Sequence, residues 1–266
     1  MYLEYWEFND FPFENVPDPD FFYLAKSHEE ALTRLIYAAE MRKGGAMLSG
    51  EIGCGKTTLS KVYVQELSAD KYDIGIIINP KLEANEFLQE VLYQFDITDI
   101  PDTKVKCLRV LNNKMIENMK GNKETILIVD EAQLLDESIF EEIRLLLNFQ
   151  LNNRFLMTII LIGQPELRDK IQSIEQLDQR IAIKYHLRPF NFEETGQYIV
   201  FRQRKAGRDK NVFSSEAIQR IFEHSKGVPR KINNLCDLSL LIGFSSNEKR
   251  IAPKIVENII NDGALF

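Results

Sequence analysis

Gly50-Glu51-Ile52-Gly53-Cys54-Gly55-Lys56-Thr57 fits the pattern G-x-x-x-x-G-K-[ST] in full. Ala46-Met47-Leu48 before it reads as the end of a buried strand, and Leu59, Val62, Tyr63 and Glu66 after it recur at helical spacing. Strand, loop and helix in that order form a phosphate-binding loop. Glycine lets successive backbone N–H groups turn inward without a Cβ clash, and the helix behind presents the positive end of its dipole. Lys56 is expected to reach the β and γ phosphates of a nucleotide, and the Thr57 hydroxyl to bind a Mg²⁺ that arrives with it. Glu51, Ile52, Cys54 and Thr58 complete the stretch expected to line the phosphates. The rival reading is a glycine-rich turn without a ligand.

Composition narrows the class. The chain has 266 residues, 44% hydrophobic and 27% charged, with a net charge of -7. That is ordinary globular material, long enough for a substantial core and a smaller second domain. The acidic balance speaks against a basic nucleic-acid-binding face over the whole molecule but leaves room for a local one. Cys54, Cys107 and Cys236 are far apart, odd in number and without histidine at metal-ligand spacing, which speaks against a disulfide framework or a zinc site. No apolar run approaches the ~18 residues of a membrane helix. The N-terminus lacks the basic start and apolar core of a signal peptide, so a cytoplasmic location without stable membrane insertion is expected.

Beyond the loop, apolar strands alternate with helices. Asp73–Asn79 reads as a second strand stopped by Pro80, with helices at about 83–95 and 103–120. Thr125-Ile126-Leu127-Ile128-Val129 then ends in Asp130-Glu131, the form taken by a metal-and-water site at a strand's carboxyl end. Asp130 is the candidate Mg²⁺ holder and Glu131 the candidate base that polarises the attacking water; a helix cap or solvated turn is the plainer reading of such a pair. After a helix at about 137–149, Phe155–Gly163 is the longest apolar run and is expected to be the central strand. Gln164 comes off its end, where its amide is placed to touch a γ phosphate, unless it only turns the chain into Pro165. A last strand at about 182–188 follows Arg180. This residue is nominated as an arginine finger, with Arg168 as second choice and a surface salt bridge as the alternative. Five strands make a five-stranded parallel sheet between helices, an α/β fold.

The two ends read differently. Residues 1–23 carry nine aromatics broken by Pro12, Pro17 and Pro19, an irregular segment that docks on the core or walls an adenine pocket through Phe11-Pro12-Phe13. Ser27-His28-Glu29-Glu30 reads as a capping box opening a helix at about 28–42, with His28 as a solvated or capping residue. From Phe192 onward the sequence is helical only, at about 192–206, 214–225, 229–243 and 253–261, with caps at Asn191 and Ser214 and a stop at Gly227. Arg202, Arg204, Lys205, Arg208 and Lys210 crowd nine residues, a solvated face or a local DNA patch. Arg230 opens the third helix, where a lid arginine can bend onto phosphates.

With these features in this order, the chain resembles an AAA+ ATPase. Phe11-Pro12-Phe13, Pro17-Asp18-Pro19, Tyr23-Leu24, His28–Leu32, Gly163-Gln164-Pro165-Glu166-Leu167 and Gly227–Asn233 are similar to the ExeA/GspA branch, near the TniB and MuB transposition ATPases. The resemblance implies a P-loop NTPase fold with a small C-terminal all-helical lid, divided into a nucleotide-binding domain at 1–190 and a lid at 191–266. It implies ATP and Mg²⁺ as ligands. Gly50, Gly53, Gly55, Lys56 and Thr57 become Walker A, Asp130 and Glu131 Walker B, Gln164 sensor 1, Arg180 a finger acting in trans, and Arg230 sensor 2. It also implies a homo-oligomer whose assembly and protein partner follow nucleotide state, in secretion or envelope assembly, or else a DNA-binding switch of the transposition type. Long members of the branch continue beyond the lid into a membrane helix and a peptidoglycan-binding region, neither of which occurs in this sequence.

Overall fold

Where a strand is apolar on both faces it has to be covered on both faces, and the sequence of such strands alternating with helices is resolved here as one parallel sheet. The computed structural model describes residues 2–78, 80–151 and 154–263; Asn79, expected at the end of the second strand, lies outside them. The elements run α1 (Lys26–Glu40), β1 (Gly45–Gly50), α2 (Lys56–Glu66), β2 (Tyr72–Ile77), α3 (Ala84–Gln94), α4 (Lys104–Lys120) and β3 (Glu124–Val129). Then come α5 (Glu137–Leu146), β4 (Gln150–Leu151), β5 (Arg154–Phe155), β6 (Met157–Gly163), α6 (Glu166–Ser173), α7 (Glu175–Asp178) and β7 (Ile181–Leu187). The last four are α8 (Phe192–Lys205), α9 (Ser215–Ser225), α10 (Pro229–Ser245) and α11 (Pro253–Asn261). The chain forms two compact units, His28–Gly50 with Leu59–Leu187, and Met1–Ser27 with Glu51–Thr58 and Arg188–Phe266.

The first unit holds the five-stranded sheet, in the order β2-β3-β6-β1-β7 with all neighbours parallel. β6 is central, as its unbroken apolar run requires, and β1 and β6 are buried along their whole length. Register sets Leu127 beside Ile159 and Val129 beside Leu161. These pairs share a core with Phe87, Val91, Leu111, Ile139 and Phe140 from α3, α4 and α5. Full burial of each such side chain is worth about 1.5–3 kcal/mol. The long run read as one strand is in fact two: Arg154–Phe155 pairs antiparallel with Gln150–Leu151, and the chain re-enters the parallel sheet at Met157. α1 starts at Lys26, one residue before the expected capping box. Ser27 is therefore inside the helix, and its hydroxyl accepts from Arg188 N at 3.2 Å. His28 shares the buried face of Ala31, Leu35, Ala38 and Ala39, so it is a core residue and not the solvated one expected.

The second unit is built on α8 to α11. Asn191 caps α8 by accepting from Glu194 N, Ser214 caps α9 by accepting from Ala217 N, and Pro229 and Pro253 occupy first turns. The aromatic N-terminal segment packs in this unit, whereas the sequence reading places it with the nucleotide-binding domain at 1–190. Trp6, Phe8 and Phe13 pack with Tyr198, Ile232, Leu235 and Leu240, and Trp6 Nε1 donates to Leu240 O at 2.9 Å. The segment lacks a regular ladder of its own, so its backbone carbonyls need other donors. Arg202, only 6% exposed, donates to Pro12 O and Glu14 O and lies 4.8 Å from the Phe21 ring.

Gly227 joins α9 to α10 at φ 76°, and a Cβ there would lie 1.8 Å from Phe190 O, whose own N–H donates to Gly227 O at 2.9 Å. Neither backbone can yield without losing that bond. Gly227→Ala is expected to cost about 3 kcal/mol or more, lowering Tm by roughly 10 °C. Thermal unfolding by circular dichroism measures it.

Candidate functional site

The carboxyl ends of three adjacent parallel strands carry the motif residues. β3 ends before Asp130, β6 before Gln164, and β1 at Gly50, in the spatial order β3-β6-β1. In an open α/β sheet this edge is where ligands bind, because loops and helix N-termini converge there.

The loop that leaves β1 is kinked at Gly53 and Gly55, with φ of 82° and 88°, values that glycine adopts without strain. Cys54 N donates to Glu51 O at 3.2 Å, which closes the turn. Lys56, the first residue of α2 and 7% exposed, donates from Nζ to Glu51 O at 3.0 Å, so its ammonium folds back over the loop. Thr57 follows in the first turn of α2, with Thr58 beside it. Cys54 is fully buried, and burial pushes its thiol up to about 11. It is therefore a packing residue and not a nucleophile. In the same unit, Arg230 N donates to Gly53 O at 3.2 Å, and a Cβ on Gly53 would lie 2.7 Å from Arg230 Cβ. The start of α10 thus rests on the loop's backbone, and the Arg230 side chain is exposed.

The acidic pair is assembled locally in the sheet unit. Asp130 is 4% exposed, its N–H donates to Ile77 O at 2.8 Å, and its Oδ1 accepts from Glu131 N at 2.8 Å. Glu131 adopts the left-handed conformation, φ 52° and ψ 34°, which is uncommon for a residue with a side chain. Strain of this kind persists where the surroundings over-determine it, and it gathers at functional positions. Gln133 Nε2 donates to Glu131 Oε2 at 2.6 Å, Gln164 Nε2 donates to the same oxygen at 3.4 Å, and Gln133 Oε1 accepts from Gln164 N at 3.0 Å. The structure therefore brings Glu131 and Gln164 together and adds Gln133, which sequence reading missed. Its signal was a lone amide three residues after Asp130, in a stretch otherwise apolar up to Leu135.

Two arginine readings separate. Arg180 immediately precedes β7, at the opposite end of the sheet from Gly50, and its Nη1 donates to Leu147 O at 3.4 Å. Arg168 lies exposed on α6, four residues beyond Gln164. The basic run of α8 also resolves: Arg202 is buried on the N-terminal segment, and Arg208 donates to Trp6 O and pairs with Glu7 at 2.6 Å. Two of the five cations that suggested a DNA patch are structural. Phe13 is likewise committed to the helical core, edge-on to Phe213, so its ring is not available to wall an adenine pocket. No helix among the described residues is long and apolar enough to cross a membrane.

The AAA domain profile matches residues 39–171, half of the 266 residues. General secretion pathway protein A of Aeromonas hydrophila is 33% identical over 254 residues, 94% of this chain and 46% of that protein, so the chain spans about half the length of this relative. The structure of the Aeropyrum pernix ORC2 protein as ADPNP-ADP complexes matches with a TM-score of 0.65 at 17% identity, over 90% of this chain and 68% of that one. The Thermotoga maritima RuvB Holliday junction branch migration motor matches with a TM-score of 0.58 at 19% identity, over 89% and 68%. At such identities the two structures speak for the fold alone. With the domain match running from the last turn of α1, through the phosphate loop, to the helix after Gln164, the chain belongs to the AAA family of P-loop ATPases.

Proposed function

We propose that the protein binds ATP with Mg²⁺ at the Gly50–Thr58 loop and hydrolyses its γ phosphate, using nucleotide state to control assembly with further copies and a protein partner. The observation that carries this is the shared edge of β3, β6 and β1, where an acid pair, an amide and a phosphate loop leave neighbouring strands. Backbone N–H groups of the loop and the Lys56 ammonium hold the phosphates; Lys56 exchanges its bond to Glu51 O for phosphate oxygens. The Thr57 hydroxyl and the Asp130 carboxylate are hard oxygen donors of the kind Mg²⁺ takes beside phosphates and water. When bound, that ion neutralises charge on the β and γ phosphates. Glu131 accepts a proton from the attacking water, Gln164 hydrogen-bonds the γ phosphate or that water, and Arg230 supplies charge from α10.

The likeness to General secretion pathway protein A supports a place in secretion or envelope assembly. A cytoplasmic location of this part of the chain is consistent with that role, since ATP is drawn there. The structural use of Arg202 and Arg208 leaves Arg204, Lys205 and Lys210 of that run for a DNA-binding switch, which makes this the weaker reading.

Lys56→Ala is expected to weaken ATP binding at least about thirty-fold, because losing a buried charge-paired donor costs 2 kcal/mol or more. Titration with a fluorescent ATP analogue reads it. Affinity unchanged in this variant would refute the loop as the nucleotide site.

A further inference from the structure

We propose that Gln133 is a positioning residue of the hydrolytic site, holding the Glu131 carboxylate in a fixed orientation and tying it to the backbone of Gln164. The proposal rests on the ATPase reading above and assigns a role to a side chain outside both motifs.

The geometry uses both ends of one amide. Nε2 donates to Glu131 Oε2 at 2.6 Å while Oε1 accepts from Gln164 N at 3.0 Å, and the side chain is 8% exposed. A donor and an acceptor are needed at once, on opposite ends of a planar group. Leucine or methionine offers neither, glutamate replaces the donor by a like charge against Glu131, and asparagine is one methylene short. The neighbouring chain is shaped to admit it: a Cβ on Gly163 would lie 2.7 Å from Gln133 Oε1 and 3.2 Å from its backbone N. Glycine at the end of the central strand is therefore what lets the amide bridge two strand ends.

The consequence is chemical. Both amides, from Gln133 and Gln164, converge on Oε2 of Glu131. Among the described residues no hydrogen bond falls on Oε1, which leaves that oxygen for the attacking water in this proposal. A carboxylate held at one oxygen by two amides has fewer orientations open to its other oxygen. Because the same amide grips the backbone of Gln164, a shift of that residue on meeting the γ phosphate is passed to the base as a rotation. Misplacing a catalytic group by about 1 Å can cost a hundred-fold in rate.

The test compares Gln133→Glu, close to isosteric, with Gln133→Met, which removes both polar ends while keeping volume. The full chain is used, and kcat, ATP-analogue affinity and Tm are measured for each. Both variants are expected to bind nucleotide within about threefold of the parent and to lose roughly ten- to hundred-fold in kcat. In Gln133→Glu the deficit is expected to shrink between about pH 8 and about pH 6, because the new carboxyl can donate to Glu131 only when protonated; a purely structural side chain would not give that pattern. Parental kcat in either folded variant, or a deficit in Gln133→Glu that ignores pH, would overturn the assignment. Glu131→Gln run in parallel separates the two levels. Inactive Glu131→Gln beside fully active Gln133 variants defeats only the positioning role, whereas a fully active Glu131→Gln defeats the hydrolytic site itself.

Discussion

Exchange of Glu131 for glutamine is expected to leave ATP bound and to lower kcat by a factor of about 10² to 10⁴, the usual contribution of a positioned proton acceptor, or roughly 3–5.5 kcal/mol of barrier. The separation of binding from turnover follows from where the residue stands. Glu131 follows β3, whereas the loop residues expected to hold the phosphates follow β1, so no phosphate-binding donor is removed. The substitution is also mild for the fold. The glutamine carbonyl can still accept from Gln133 Nε2, and the bond from residue 131 N to Asp130 Oδ1 involves only backbone on the altered residue. The left-handed backbone at φ 52° is no worse for glutamine than for glutamate. Single-turnover release of phosphate, beside equilibrium binding of an ATP analogue, reads the two effects separately. Turnover within a factor of about two of the parent would mean that the water is activated elsewhere.

The parts of this site legible in the sequence are those fixed by covalent neighbours. A phosphate loop needs glycines at set spacings because of its own φ angles, and Gly53 and Gly55 do lie in the left-handed region. Asp130 and Glu131 end an apolar strand, and the strand positions them. Gln133 was not legible because its partners are chosen by register between two chain segments. Only when Val129 stands beside Leu161 do the residues after β3 come alongside Gly163 and Gln164. The packing of the N-terminal segment was hidden for a related reason: aromatic content predicts burial but not against what, and Trp6 and Phe13 pack in the helical core. Charge runs mislead in the opposite sense. Arg202 reads as part of a solvated basic face, yet a segment without a backbone ladder needs donors, and the guanidinium supplies them to Pro12 O and Glu14 O.

Arg180→Ala is expected to abolish nearly all turnover without touching nucleotide affinity, by about 10³ to 10⁵ if it acts as an arginine finger, on the order of 4–7 kcal/mol. The place of Arg180 in the sheet speaks against action on its own phosphate loop. Arg180 precedes β7, whose Ile181 is in register with Gly45 at the start of β1, while the phosphate loop follows Gly50 at the other end. Strands of this length place the two ends about 20 Å apart, beyond the reach of an arginine side chain. Within its own unit the residue lines a groove of about 770 Å³ together with Arg42, Lys43, Arg154 and Gln179. Arg42 is paired there with Glu124 at 2.7 Å, so Lys43, Arg154 and Arg180 are the cations that a triphosphate bound to a second copy would meet in such an arrangement. If so, a chain lacking the finger and a chain lacking the base are each defective at a different kind of site. Mixing Arg180→Ala with Glu131→Gln is expected to restore part of the activity, because some junctions then combine an intact base with an intact finger. In a two-membered assembly with random mixing, about half the pairs would be mixed and each would hold one working site, so up to roughly a quarter of parental turnover is recovered. Turnover that stays at the level of the separate variants, at concentrations where light scattering shows the chains assembled, would assign Arg180 to something other than its neighbour's phosphate.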